Sequence, residues 1–319
     1  MRVLREHLKN FGRRIKYALA VRRVFLSIER LFCYPYAKRL FKKKLGYPLN
    51  LKNPRSFNEK INYKKLFDRD PLLVRTTDKY AVRGYVREIL GDEAANNILI
   101  PLFCVVDRPN DIPFGKLPEE CIMKVTNSSG GNHIIEEEKP TDRKSVVAFF
   151  HTWFIKSYGF YKHEWAYSQI KPRIVIEQLI RDNEGMLVQD YKFHVFHGKC
   201  KFIHTTPKVN GVRTGTRSLF TPEWELLDVA SKHPKGSAVP PPPQLKEMLA
   251  LVEKLAAPFD YVRVDLYSAS GKTYFGELTH YHESGLAKIE PREADFTLGE
   301  YWNLVPHYWE QRPPFGQST

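Results

Sequence analysis

The tightest constraint on the fold lies near the C-terminus, where residues 261–267 and 273–279 form two apolar runs joined by Ser268-Ala269-Ser270-Gly271. Runs of this length, rich in Val, Leu, Tyr and Phe and separated by a Gly-containing turn, read as an antiparallel hairpin. Charges interrupt both: Arg263-Val264-Asp265 in the first and Glu277-Leu278-Thr279 in the second. Side chains two apart share a face, so Arg263 groups with Asp265, and Glu277 with Thr279. A connection of three or five residues puts both pairs on one face, with Asp265 and Glu277 diagonal neighbours within reach of a shared ion. Carboxylates that close repel unless a cation lies between them, and Mg²⁺ suits the pair because it takes one or two carboxylates plus phosphate oxygens. The competing reading is a surface hairpin whose charges are solvated beside Arg263.

Residues 121–126 make another apolar strand with Lys124 inside it, followed by Asn127-Ser128-Ser129-Gly130-Gly131-Asn132. A lysine there is expensive to bury unless an anion meets it. A flexible Ser/Gly turn just beyond aims backbone N–H groups at phosphate oxygens. The GxxxxGK[ST] order of a P-loop is absent, and a strand-edge lysine before an ordinary hairpin explains the same residues. Residues 173–180 run as a buried strand into Glu177, and Asp190-Tyr191-Lys192 puts another ammonium on the strand after it.

Upstream, Ser56-Phe57-Asn58-Glu59 is a capping-box pattern that predicts a helix through Phe67. Asp70-Pro71 opens a second short helix, and Asp78 caps a third over 79–90 that ends at Gly91. Residues 98–101 and 103–106 read as strands, 141–168 as aromatic-rich helix, 189–196 and 200–205 as strands around His197-Gly198-Lys199, 207–222 as a mobile loop, and 245–256 as helix. Strands and helices in this order indicate an α+β or α/β body of enzyme size.

Charge separates that body from what precedes it. Residues 1–45 hold 14 Lys or Arg against Glu6 and Glu29 alone, whereas the whole chain of 319 residues is only +14. The body is therefore close to neutral, which argues against nucleic acid as a partner. Within the arm, Leu4, Leu8, Phe11, Ile15, Leu19, Val24, Phe25, Ile28 and Leu31 recur at helical spacing among the basic residues. Such a helix suits an anionic membrane surface, or it packs on the body with its charges solvated. No run of about 18 apolar residues is present to span a bilayer. Four well-separated cysteines without a CxxC pair fit a reducing cytosol.

Taken in order, these pieces resemble the ATP-grasp superfamily and, within it, the teichuronopeptide-biosynthesis (TupA-like) branch. The likeness runs through Pro54-x-Ser56-Phe57-Asn58-Glu59-Lys60, Asp78-Lys79-Tyr80-x-Val82-Arg83, Lys124 with its Ser/Gly turn, Glu164-Trp165-x-Tyr167 and Ile176-Glu177. It continues through Asp190-Tyr191-Lys192, Val262-Arg263-Val264-Asp265-Leu266-Tyr267, Tyr274-Phe275-Gly276-Glu277-Leu278-Thr279 and Ser284-Gly285. The resemblance implies an α+β ATP-grasp fold, two α+β subdomains clasping ATP, preceded by the basic helical arm. The expected divisions are the arm (1–50), a helical pre-grasp region (51–118), a first grasp subdomain (119–172), a second with the metal site (173–305) and a tail (306–319).

Position by position, the resemblance implies that Lys79 and Lys124 hold ATP phosphates and that Gly130, Gly131 and Asn132 close over them. Glu177, Gln178 and Leu179 would lie at the hinge that binds adenine and ribose, and Lys192 at the terminal phosphates. Asp265 and Glu277 would hold Mg²⁺, with Thr279 where many members have an Asn, and Arg263 would stabilise an acyl phosphate. The activity implied is ATP-dependent carboxylate–amine ligation. Arg213 and Arg217 are expected to clamp the acceptor carboxylate, or to be solvated, and His280 to act as a base or to be a rim residue. The branch suggests a uronic acid of a cell-surface polysaccharide as acceptor and an amine as donor, at the inner face of the cytoplasmic membrane. A kinase acting on a sugar hydroxyl, a glycosyltransferase (although no DxD motif is present) and a non-enzymatic scaffold are the rival readings.

Overall fold

The computed structural model describes residues 21, 22, 24–137, 141–156, 158–209 and 212–304, without the side chains of 208–213. Most of the arm, with its expected apolar positions Leu4 to Leu19, lies outside the described residues. Its last part is helical over 24–31 (α1) and again in α2, Pro35–Leu45. Phe41 of α2 is wholly buried against Tyr47, Tyr63 and Phe67, so this section belongs to the body. Burying such a ring contributes about 1.5–3 kcal/mol. Lys42, Lys43 and Lys44 fill the last turn of α2, where cations complement the helix dipole, and left-handed Gly46 stops it.

Helix α3 (Phe57–Phe67) forms because both halves of the expected capping box are made: Ser56 Oγ accepts from Glu59 N–H and Glu59 returns to Ser56 N–H. Every residue of α3 except Lys60 is buried, including its polar ones. Asn58 reaches Asp295 and the Ala287 carbonyl, Lys64 pairs with Asp68 and Asp260, and Lys65 donates to Ser284. Two short helices, α4 (Pro71–Thr77) and α5 (Ala81–Leu90), follow, with Asp78 Oδ1 accepting from the Tyr80 and Ala81 amides between them. After α6 (Asp92–Ile98) the chain enters its sheets.

The first sheet contains β1 (Leu102–Val106), β2 (Cys121–Val125), β3 (Asn132–Ile135) and β4 (Ile174–Glu177) in the order β1-β4-β2-β3, antiparallel throughout. Helix α7 (Arg143–Ile155) covers one face, packing Val146 and Phe150 on Cys121, Met123, Val125, Ile174 and Ile176. The other face carries Lys124 and Glu177. The sheet crosses the divisions drawn at 118/119 and 172/173, since β1 and β4 pair within it. The helix expected over 141–168 stops at Ile155; Gly159 and His163 take left-handed conformations, and only the short α8 (Trp165–Gln169) resumes.

The second sheet has the order β12-β11-β5-β6-β9, from β5 (Gln189–Phe196), β6 (Lys199–Thr205), β9 (Ser218–Phe220), β11 (Tyr261–Ala269) and β12 (Lys272–Thr279). Helix α9 (Leu245–Ala256) closes its back with Met248, Val252 and Leu255. The segment 207–222, expected to be mobile, contains β7 (Lys208–Val209), β8 (Val212–Arg213) and β9, and Leu219 and Phe220 are buried. Phe220 stacks on Trp224 at 4.4 Å, which anchors this segment despite its Gly- and Thr-rich composition. The remaining elements are β10 (Ala230–Ser231), which pairs with β13 (Ile289–Glu290), and the final α10 (Arg292–Glu300). Among the described residues no helix is long and apolar enough to cross a membrane.

Candidate active site

The β11–β12 hairpin reaches the shared-face arrangement by a different route from the odd-length loop expected of it. Ala269 pairs with Lys272, leaving a two-residue turn, Ser270-Gly271, with both residues at positive φ. Continued unchanged, that register would put Asp265 opposite Gly276 and turn Glu277 to the other face. A register shift between Asp265 and Leu266 leaves Gly276 as a bulge, and Asp265 then faces Glu277 directly. A Cβ on residue 276 would come within 2.9 Å of the Asp265 carbonyl oxygen, so the bulge needs glycine.

The rungs of the sheet assemble the rest. Glu277, Asp265, Lys192 and His204 are successive partners across β12, β11, β5 and β6; Thr279, Arg263, His194 and Phe202 make the next rung. Arg263 donates to both oxygens of Asp265 at 2.6 and 2.7 Å, to Glu277 Oε1 at 3.0 Å and to His282 Nδ1 at 3.0 Å. That last bond fixes the His282 proton on Nε2, because arginine only donates. His194, His204 and His282 lie close enough for a metal to bridge them, yet His194 is already bonded to Tyr261 and His204. Burial, with Arg263 and Arg217 nearby, holds all three well below the usual histidine range. They form a neutral scaffold behind Arg263.

Burial lifts the Asp265 carboxyl to about 6 even with Arg263 beside it. Glu277 moves the other way: burial would raise it, but Lys79, Arg263 and the Thr279 hydroxyl outweigh that and lower it. Burial also opposes the charge on Arg263, and its two carboxylate partners more than offset this. Thr279 Oγ1 donates to Glu277 Oε1 at 3.1 Å. Bonds to Arg263 and Thr279 thus engage Oε1 and leave Oε2. An all-oxygen donor set on one face, with one carboxylate oxygen uncommitted at the cleft, fits a hard cation such as Mg²⁺.

These residues line a cleft of about 360 Å³ together with Lys79, Gly130, Asn132 and Lys192. Lys192 is paired with Asp190 and stands 4.0 Å from Asp265 Oδ2. Lys79 donates to the Ser128 carbonyl, holding the Ser/Gly turn, and Gly131 packs so closely on Trp153 that a Cβ would lie 2.9 Å from the ring. Lys124 and Glu177 meet at 2.8 Å, and Arg83 takes the other Glu177 oxygen at 3.0 Å. Both oxygens of Glu177 are therefore committed, and the Gln178 amide donates to the Pro101 carbonyl. Glu177, Gln178 and the buried Leu179 lie at the end of β4, outside the cleft lining.

Two expected residues, His280 and Arg217, stand elsewhere. His280 is buried, with Nε2 bonded to Thr76 at 2.8 Å, and does not line the cleft. Strand alternation explains this: it sits one position past Thr279 and faces the opposite side. Arg217 is buried behind Glu283, which it meets at 2.9 Å, with Nε and Nη1 unpartnered among the described residues. The Arg213 side chain lies outside the described residues. Sequence reasoning gave no role to Tyr158, Glu164, Tyr167, Lys232 or Glu283, which share the lining. Glu164-Trp165-x-Tyr167 was visible as a motif, but the fold alone brings it to the cleft.

The family model described as TupA-like ATPgrasp matches residues 59–303. The chain belongs to the TupA-like ATP-grasp family. A search of curated proteins finds no match. Among solved structures this TupA-like chain is similar to the D-alanine–D-alanine ligase of Bacillus anthracis complexed with ATP, at 16% identity and a TM-score of 0.37 over 65% of this chain and 54% of that one. It is also similar to the ATP-grasp ligase PsnB with its precursor peptide PsnA2 and AMPPNP (12%, 0.35, 66% and 51%). A third is the N5-carboxyaminoimidazole ribonucleotide synthetase of Thermus thermophilus (10%, 0.36, 64% and 45%). The chain spans about half the length of these structures, and TM-scores this low assign no reaction.

Proposed function

We propose that the protein joins a carboxylate to an amine at the expense of ATP, through an acyl phosphate. The observation that carries this reading is the rung Glu277–Asp265–Lys192, backed by Arg263 and faced by Lys79 across one cleft. A carboxylate repels nucleophiles until phosphorylation gives it a leaving group, and such a transfer needs positioning and charge neutralisation above all. Asp265 and Glu277 would hold Mg²⁺, which supplies charge neutralisation on phosphate oxygens when bound. Lys79 and Lys192 would hold phosphate oxygens, and Arg263 would face the developing negative charge on the acyl phosphate. Gly130 and Asn132, on the turn tethered by Lys79, would close over the nucleotide and keep water from the acyl phosphate. Lys124 would reach the phosphates from its pairing with Glu177, which sits at the adenine end with Gln178 and Leu179.

Arg217 would receive the acceptor carboxylate through its two unpartnered nitrogens. The acceptor we favour is a uronic acid of a cell-surface polysaccharide. Phosphoryl transfer to a sugar hydroxyl uses the same cleft without an amine. The test is ADP and phosphate release with Mg²⁺ against a panel of uronic acids, each with and without amino acids, in wild type and Glu277→Gln. Phosphate that appears only with acid and amine together, and vanishes in the variant, is the expected result; phosphate retained on the sugar would make it a kinase.

We also propose that α1 meets an anionic membrane surface at the inner face of the cytoplasmic membrane. Phe25 and Glu29 face the body, where Glu29 accepts from the Tyr36 and Ala37 amides and His163. Val24, Ile28 and Leu31 face outward, Leu31 at 76% exposure, beside Phe32 at 64%. An apolar stripe left outside amid basic residues suits a lipid interface.

A further inference from the structure

A separate cavity, of about 100 Å³, lies under α1 and shares only Glu164 with the lining of the cleft. Leu26 and Arg30 of α1 close it on one side, Lys65 of α3 and Arg69 just beyond α3 on another, and the Phe160 and Trp165 rings add apolar walls. Space of that size holds a few waters or one tetrahedral oxyanion, and it is too small for a nucleotide. The lining is strongly basic: Arg30, Lys65 and Arg69 stand against a single acid, Glu164.

The buried member of this set is Lys65, 3% exposed. It donates to the carbonyl and hydroxyl of Ser284, at 2.6 and 3.3 Å, and has no ion-pair partner among the described residues. Lys64, equally buried on the same helix, shows what a compensated ammonium has: carboxylates of Asp68 and Asp260 at 2.7 and 2.8 Å. Burial opposes both charges. The two aspartates more than offset it for Lys64, whereas Glu164 only partly offsets it for Lys65, which falls to about 7. Glu29, bonded to the cavity residue His163, is taken up by that histidine and by the Tyr36 and Ala37 amides. The described chain therefore buries Lys65 without supplying its counter-ion, an arrangement that is costly unless an anion enters.

The other two cations are in position. Arg69 donates to the carbonyls of Lys65, Leu66 and Asp68 and lies 5.3 Å from the centre of the Trp165 ring. Those contacts fix its guanidinium without cancelling its charge. Arg30 stands exposed on the α1 side. Burial and then the charges of Lys65, Arg69 and Arg30 push His163 down to about 3, so the three act together on one wall of the cavity. We propose that this cavity is a phosphate-binding site, in which one phosphoryl group meets Lys65, Arg69 and Arg30 and fastens α1 to the body. Two sources offer that group: the headgroup of a phospholipid at the surface where Ile28 and Leu31 lie exposed, and a free phosphate. The site stands whether or not the cleft is that of a ligase.

The test is calorimetric titration of the full chain with inorganic phosphate at constant ionic strength, with Mg·AMP-PNP present to occupy the cleft. Wild type is compared with Lys65→Met and Arg30→Gln. Flotation with phosphatidylcholine vesicles, with and without phosphatidylglycerol, is measured beside it for wild type and Lys65→Met. Lys65 is buried, so its replacement reports the cavity rather than general surface charge. Phosphate should bind wild type saturably and Lys65→Met about ten- to a hundred-fold more weakly, the loss expected for a charge-assisted hydrogen bond. Arg30→Gln, being exposed, should lose less. Loss of phosphatidylglycerol-dependent flotation in Lys65→Met makes the ligand a lipid headgroup; lost phosphate affinity with unchanged flotation makes it a soluble phosphate. Equal phosphate affinity in wild type and Lys65→Met with unchanged flotation overturns the site, as does no phosphate binding in wild type with unchanged flotation. Should Lys65→Met not fold, Leu26→Trp fills the cavity from α1 without removing a charge and must exclude the same ligand.

Discussion

Two regions break the usual partition of charged and apolar groups, in opposite directions. On the face shared by β5, β11 and β12, Arg263, Asp265 and Asp190 lie inside. On α1 and just after it, Val24, Leu31 and Phe32 lie outside. In the first region the buried charges are compensated by neighbours held on adjacent strands, Arg263 spanning two carboxylates and a histidine. In the second the exposed residues have no such compensation from the described body. Buried charge survives by internal pairing, which leaves the cleft preorganised; exposed apolar surface is satisfied only by something else.

The strongest way to break this contrast is Arg263→Leu. It leaves Asp265 and Glu277 facing each other without their shared cation, and should cost about 3–5 kcal/mol in urea unfolding at pH 7. Glu283→Gln comes next, because it strands buried Arg217. Hydrogen bonds from Lys232 and Arg217 overcome burial and hold the Glu283 carboxyl at about 2, against an ordinary 4.5. The stabilisation is thus full above pH 4.5 and lost as pH falls towards 2. The variant should be about 3 kcal/mol less stable at pH 7, and unfolding curves of the two proteins should converge across that window.

Gly276→Ala presses a methyl group on the Asp265 carbonyl and should cost about 1–3 kcal/mol by the same assay, with a larger proportional loss of Mg²⁺-dependent nucleotide binding. The Asp265 carboxyl, lifted to about 6 by burial, supplies a pH test. Mg²⁺-dependent nucleotide affinity should fall roughly tenfold per pH unit below that value; a flat profile from pH 7 to 5 would count against Asp265 as a ligand. The smallest structural effect belongs to the other region. Leu31→Asp should leave stability within about 0.5 kcal/mol while reducing binding to anionic vesicles roughly tenfold or more. An unchanged partition would remove the membrane reading of α1.

Much of the frame was legible in the sequence because local chemistry dictates it. Ser56 and Glu59 announce α3, and β5 runs over Gln189–Phe196 as its alternation predicts. What escaped was set by distant contacts. The Gly- and Thr-rich composition of 207–222 conceals the Phe220–Trp224 stack that orders it. His280 follows the metal motif in sequence but turns to Thr76 in space. Glu164 lines the cleft directly, and Lys65 touches that lining through Ser284. One missed signal was present: Phe275 and Leu278 are three apart and both buried, which interrupts a two-residue period and marks the irregularity at Gly276.

That single extra residue makes the hairpin behave like a text with a reading frame of two. Removing Gly276 closes the ladder and leaves Asp265 opposite Glu277, whereas keeping the residue without its bulge turns Glu277 to the other face. A side chain at that position meets the Asp265 carbonyl oxygen. A lineage of such proteins is therefore freer to lose this residue than to replace it.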